Sequence, residues 1–211
     1  MSRRSDVLEL AVLGLLHESA MHGYELRKRL NTLLGTFRAL SYGTLYPCLK
    51  SLLSVGWIRE VNADEAAASP LAARRARIVY ELTAEGKEHF QSLVGDPGPA
   101  AWEDERFDVH FAFFARTDAA TRLQILEGRR SRLQERREGV RQSMLRNRER
   151  IDQYTLELQK HGLEAVDGEV RWLTELIDTE RASNMTHPPL GDPPAPAPDP
   201  PPADPTPNPS H

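Results

Sequence analysis

A mainly α-helical fold with one small β-hairpin is predicted by three observations. Apolar residues recur at helical spacing through most of residues 6–94; two short alternating runs around a long loop interrupt that pattern; and beyond residue 100 helix-forming sequence continues until proline takes over. The expected organisation is an N-terminal domain over 1–96, a helical region over 97–183 and a disordered Pro-rich tail over 184–211.

The run Asp6 to Glu18 puts Val7, Leu8, Leu10, Ala11, Leu13, Leu15 and Leu16 on one broad surface, with Ser5 or Asp6 as N-cap, which predicts a buried first helix. Ser19 to Gly23 breaks it. A second helix is expected from Gly23 to Leu34, with Tyr24, Leu26, Leu30, Leu33 and Leu34 inward and Arg27, Lys28 and Arg29 largely outward. Ser41 can cap a third helix reaching Val55, its apolar set being Leu45, Leu49, Leu52 and Leu53, and Gly56 closes it. Trp57 to Val61 and Arg77 to Thr83 alternate as two strands, separated by a long loop that holds Pro70 and the cluster Arg74, Arg75 and Arg77. Thr83 then caps a fourth helix through Val94, and Asp96-Pro97-Gly98-Pro99 ends the domain.

In the second half a short aromatic helix is expected around Phe107, Phe111, Phe113 and Phe114, followed by a long one capped by Thr117 or Asp118. A heptad runs through Leu123, Leu126, Arg130, Leu133, Arg137, Val140, Met144, Asn147, Ile151, Tyr154 and Leu158, with Gly162 as its end. Val166, Val170, Leu173 and Ile177 belong to a final amphipathic helix packed beside it. The seam makes this a long-helix dimerisation region. Its contact residues are Leu123, Leu126, Leu133, Val140, Met144, Ile151, Val170, Leu173 and Ile177, and the polar seam positions Arg130, Arg137 and Asn147 set register.

The tail holds 12 of the 16 prolines, a composition that builds no core and favours extended polyproline conformation. No apolar run reaches the ~20 residues of a membrane span, the basic start lacks a signal-peptide cleavage site, and Cys48 is the only cysteine. A reducing, cytoplasmic address without membrane contact is therefore expected. Net charge is −4, which argues against a non-specific nucleic-acid coat, but the charge is uneven. Residues 1–83 carry eleven basic against eight acidic side chains, whereas the remainder carries 16 against 23. A duplex would be drawn to the N-terminal end alone.

Three helices followed by two strands is the winged helix-turn-helix plan. The blocks Leu13-Gly14-Leu15-Leu16, Met21-His22-Gly23-Tyr24-Glu25-Leu26, Gly43-Thr44-Leu45-Tyr46-Pro47-Cys48-Leu49-Lys50-Ser51-Leu52, Gly56-Trp57-Ile58 and Tyr80-Glu81-Leu82-Thr83-Ala84-Glu85-Gly86 together resemble the PadR family of transcriptional regulators. The resemblance spans residues 8 to 86 and is much looser beyond; the loop from Asn62 to Ala76 is longer and richer in alanine than the family pattern. It implies a homodimeric repressor, often autoregulatory or responsive to phenolics, drugs or other small molecules.

A helix can enter the ~12 Å major groove when its N-terminal end carries short polar or aromatic side chains. Ser41, Tyr42, Gly43, Thr44, Tyr46 and Lys50 supply that mixture, on the stretch that the resemblance makes the recognition helix. Ser41 and Thr44 are assigned to phosphate or base contacts, Tyr42 and Tyr46 to backbone and groove wall, Lys50 to phosphate, and Gly43 to close approach. Arg74, Arg75 and Arg77 suit a neighbouring minor groove or phosphates. Competing readings have Tyr46 and Pro47 packing the helix into the domain, Lys50 as a solvated charge, Arg77 paired with Glu81 or Glu60, and Arg27 to Arg29 as a solvated helix face.

Enzymatic readings find no support: the sequence has no phosphate loop or nucleophile elbow, and the spacing of His17 and His22 is poor for a metal. His110, among phenylalanines, reads as a core or interface histidine, and no cofactor is expected. The expected partners are double-stranded DNA, a second copy of the chain and a small aromatic effector, the last in a cleft between Trp102, the phenylalanine cluster with Phe111 and Phe114, Trp172 and the opposite subunit. The competing reading, that these aromatics are simply interface core, is the favoured one. The rival function is a protein-interaction adaptor that works through the C-terminal helices and the Pro-rich tail.

Overall fold

The computed structural model describes residues 3–33, 42–62, 78–147 and 152–186. Its elements are α1 (Arg3–Glu18), β1 (Met21–His22), α2 (Gly23–Leu33), α3 (Tyr42–Ser54), β2 (Ile58–Asn62), β3 (Ile78–Leu82), α4 (Ala84–Val94), α5 (Asp104–Ala112), α6 (Ala119–Asn147) and α7 (Gln153–Thr186). Short 3₁₀ turns at Pro99–Trp102 and Phe114–Arg116 bracket α5.

The apolar sets of the first three helices meet in one core. Leu10, Leu13 and Leu16 of α1, Leu26 and Leu30 of α2 and Leu45, Leu49 and Leu52 of α3 are all at most 3% exposed. The strands close this core from one side as an antiparallel sheet of order β1-β3-β2, with Met21 opposite Tyr80 and Ile58 opposite Leu82. The segment expected to be only a break thus contributes a two-residue strand. Tyr24 also departs from expectation: it is 70% exposed at the start of α2 rather than inward.

Local capping explains where the elements end. Gly56 takes φ +78°, a left-handed conformation that favours glycine, and ends α3. The Thr83 hydroxyl accepts from the Gly86 N–H at 3.0 Å and donates to the Gly56 carbonyl at 2.7 Å, so one side chain caps α4 and ties it to the base of the hairpin. Gly86 is needed there because a Cβ would lie 1.9 Å from the Trp57 carbonyl oxygen. Trp57 stacks on His89 at 3.6 Å, and His89 Nε2 lies 3.0 Å from Glu9 Oε1, which joins the hairpin, α4 and α1.

Helix α5 is not separate from this domain. Val109 and Phe113 complete the first core, where Phe113 meets Phe90 edge-on at 5.5 Å, and Arg106 pairs with Asp6 at 2.9 Å. Asp118 is the cap of α6, accepting from Thr121. These hydrogen bonds hold its carboxyl below the usual range.

The long helices depart from the expected boundaries. Instead of one helix to Gly162 followed by a short one, α6 ends at Asn147 and α7 runs from Gln153 to Thr186, with Gly162 inside it. Asp152 caps α7 by accepting from the N–H groups of Tyr154 and Thr155. Helix formation therefore continues through residues 184–186, which had been expected in the tail. The two helices are antiparallel, and their ion pairs run in opposite order along each: Arg122 with Glu180, Arg129 with Glu169, Arg137 with Asp167.

Ile125, Leu126, Leu133, Val170, Leu173 and Ile177 form a second core between α6 and α7. Five of the residues expected at a dimer seam (Leu126, Leu133, Val170, Leu173 and Ile177) are thus buried within one chain, because the antiparallel hairpin covers its own apolar stripe. Leu123, Val140 and Met144 are half-buried, and Ile151 lies outside the described residues. Leu145, Tyr154 and Leu158, near the tip of the hairpin, are 71–87% exposed.

Candidate nucleic-acid interface

The candidate reading surface is built by α3. Burying Leu45, Leu49 and Leu52 fixes the rotation of this helix, and the same rotation turns Thr44, Tyr46 and Lys50 to the exposed face. Tyr46 is 47% exposed. Its ring lies against the start of α2, the hydroxyl 3.6 Å from the Cβ position of Gly23, so part of the packing reading holds along with the exposed one. Beneath it Tyr80 is buried, and its phenol is pushed up first by burial and then by Glu60 and Tyr46. Pro47 inside α3 lacks the N–H that would close on the Gly43 carbonyl.

Tyr42 and Gly43 open α3. Ser41, Arg74, Arg75 and Arg77 lie outside the described residues, so the wing-tip contacts expected of the three arginines do too. On the described part of the hairpin, Glu81 is engaged by Arg59 at 3.1 Å. Arg29 bonds Glu25 at 3.0 Å, as on a solvated helix face. Tyr24, which helical spacing assigned to the core, lies exposed at the start of α2.

Cys48, on α3, is half-buried, and burial, helped by Glu9, pushes its thiol up to about 12. Such a thiol is a packing group rather than a nucleophile at neutral pH. His110 is 4% exposed; burial and then Arg106 push it down to about 4, which keeps it neutral in the core.

Within one chain, the four aromatics expected around an effector fall in two places. Phe111 lies 5.2 Å from Trp172 and 5.0 Å from Phe114, over the buried Phe107, and these rings form a surface between α5 and α7. Trp102 instead packs on Gly128 of α6, where a Cβ would lie 2.8 Å from its ring, and donates from Nε1 to the Pro97 carbonyl at 3.0 Å. It lines a different cavity of about 680 Å³ together with Asp104, Arg129, Leu133 and Arg136. There Arg129, almost fully buried, bonds Glu169 at 2.7 Å and also reaches Asp104. Burial alone would lower its basicity, but the hydrogen bonds that it donates to Glu169 and Asp104 outweigh burial and raise it.

An exposed polar helix face beside a short antiparallel sheet, on a three-helix core, is the winged helix-turn-helix plan. Residues 12–92 match the model of the transcriptional regulator PadR-like family. Among solved structures it is similar to Bacillus subtilis PadR in complex with operator DNA, at 20% identity over 82% of this chain and 99% of that one, TM-score 0.37. The same Bacillus subtilis protein in complex with p-coumaric acid matches at 20% identity over 83% and 99%, TM-score 0.36. A transcriptional regulator from Clostridium thermocellum matches at 23% identity over 41% and 75%, TM-score 0.35. Among curated proteins nothing matches. No helix among the described residues is long and apolar enough to cross a membrane.

Proposed function

We propose that this PadR-like regulator acts as a homodimeric repressor in which two copies of α3 read the half-sites of an inverted repeat. The observation that carries this reading is the division of α3, with Leu45, Leu49 and Leu52 sealed in the core and Thr44, Tyr46 and Lys50 on the open side. A two-fold protein implies a two-fold operator. Pairing of copies is supported by the exposed Leu145, Tyr154 and Leu158 and the half-buried Val140 and Met144, rather than by the buried stripe between α6 and α7. Release by a planar aromatic effector fits the Phe111, Phe114 and Trp172 surface, with Trp102 excluded from that site by its own packing.

The deciding measurement is a mobility shift on the DNA flanking the protein's own gene, in competitor DNA and at several salt concentrations. Lys50→Ala is expected to weaken binding about tenfold and to reduce the salt slope by about 1, as loss of one phosphate contact does. A saturable shift with an unchanged slope would remove Lys50 from the interface. No saturable shift on any fragment would favour the adaptor reading instead.

A further inference from the structure

Given the proposed homodimer, on which this rests, we infer that a notch between α6 and α7 is filled by Tyr154 of a second copy of the chain. The notch has a volume of about 220 Å³ and is lined by Arg137, Val140, Gln159, Gly162, Leu163 and Val166. Two atoms of these residues, Arg137 Nε and Gln159 Oε1, are shut off from solvent and have no hydrogen-bond partner. Asp167 holds the same guanidinium through another nitrogen, at 2.9 Å. Nε is a donor and Oε1 an acceptor, so one hydroxyl, which both accepts and donates, satisfies the pair. The rest of the wall is apolar, and a cavity of about 150 Å³ already takes a benzene ring. Tyrosine is the side chain that brings such a ring and a hydroxyl together.

One helix carries both the knob and the hole. Tyr154, Leu158 and Gly162 follow at every fourth residue along one face of α7, and Tyr154 is 87% and Leu158 71% exposed. Tyr154 leaves the notch of its own chain open, since Gly162 lies two turns further on, a rise of about 12 Å. When two α7 helices meet antiparallel with a two-fold axis at Leu158, the residue four places before the axis faces the residue four places after it in the other copy. Tyr154 then meets Gly162 twice, once in each direction. Gly162 supplies the room: a Cβ there would have no neighbour within 4 Å, and without one the helices can approach to the short end of the roughly 8–10 Å packing range. A knob and a hole at equal distance from one exposed leucine make a self-complementary face, which selects a second copy as the occupant over an unrelated protein.

The test uses the full chain with a fluorophore at its N-terminus, in fluorescence-detected sedimentation down to nanomolar concentration. Wild type is expected to sediment as a pair. Gly162→Leu, which fills the notch while improving helix propensity, should weaken pairing at least about a hundredfold with unchanged circular dichroism. Tyr154→Phe, which removes only the hydroxyl, should weaken it about tenfold, both notches being affected. In a Cys48→Ser background, co-expressed Tyr154→Cys and Gly162→Cys chains should join through a short bismaleimide, as should Leu158→Cys alone, whereas Tyr154→Cys alone should not. A paired wild type whose association is unchanged or tighter in either Gly162→Leu or Tyr154→Phe would overturn the notch and leave the homodimer on another surface. Joining of Tyr154→Cys to itself, without joining to Gly162→Cys, would overturn it as well. Wild type that stays monomeric at every concentration would overturn the homodimer and the notch together.

Discussion

Lowering the pH from 7 to 4 should destabilise this protein through His110, whose side chain sits 4% exposed where α5 packs on the first core. Burial, followed by the charge of Arg106, holds its pKa at about 4 against an ordinary 6.5. The folded pKa lies below the unfolded one, so the unfolded chain takes up a proton that the folded chain refuses. Stability is therefore full above pH 6.5, falls by about 1.4 kcal/mol per unit below it, and levels off near pH 4. Over that window the loss is about 3 kcal/mol, a large part of the 5–15 kcal/mol typical of a domain. His17, also pushed down by burial, adds to the slope in the same direction, whereas the contribution of Asp118 is lost only at more acid pH. The two histidines are separated by comparing wild type with His110→Leu in urea unfolding at fixed protein concentration, at pH 7.5, 6, 5 and 4.5. The difference between the two stabilities should shrink in favour of the variant as pH falls. Parallel curves across this range would refute the burial argument for His110.

Gly86→Ala should cost at least about 2 kcal/mol, because its Cβ meets the Trp57 backbone carbonyl rather than a movable side chain; thermal melts that match wild type would contradict it. Arg129→Ala should cost about 3 kcal/mol by leaving Glu169 without its buried partner, and Arg129→Met, which keeps the stem's volume but also removes the charge, should cost nearly as much. A loss for Arg129→Met well below that for Arg129→Ala in denaturant titration would show that the stem of Arg129, not its charge, holds the second core.

The parts of this fold legible in the sequence are those whose causes are local. Thr83 and Gly56 were readable as a cap and a stop because capping involves neighbours three residues away. The strand at Met21–His22 was not, because its partner Tyr80 is nearly sixty residues distant. Tyr24 was misplaced for a related reason: spacing defines a helix face but not how far the core extends along it. The break between α6 and α7 had a local signal in Asp152 and Thr155, but the heptad continues through it and conceals it. Gly162 misled because an exposed glycine inside a long helix costs only about 1 kcal/mol. On the candidate reading face, the alternation of Leu45, Leu49 and Leu52 with Thr44, Tyr46 and Lys50 was plain. The separation of Trp102 from Trp172 was not, since it depends on tertiary packing, Trp102 against Gly128 of α6 and Trp172 against Phe107 and Phe111 of α5.

The pairing of Met21 and His22 with β3 has a mechanical meaning for any encounter with a duplex. Hairpin and first reading-motif helix share a strand, so a push on one arm is felt at the root of the other. If the proposed reading of a duplex by α3 is right, a groove spacing that is slightly wrong would not be met by swinging either part alone, and the mismatch would fall on the DNA or on affinity.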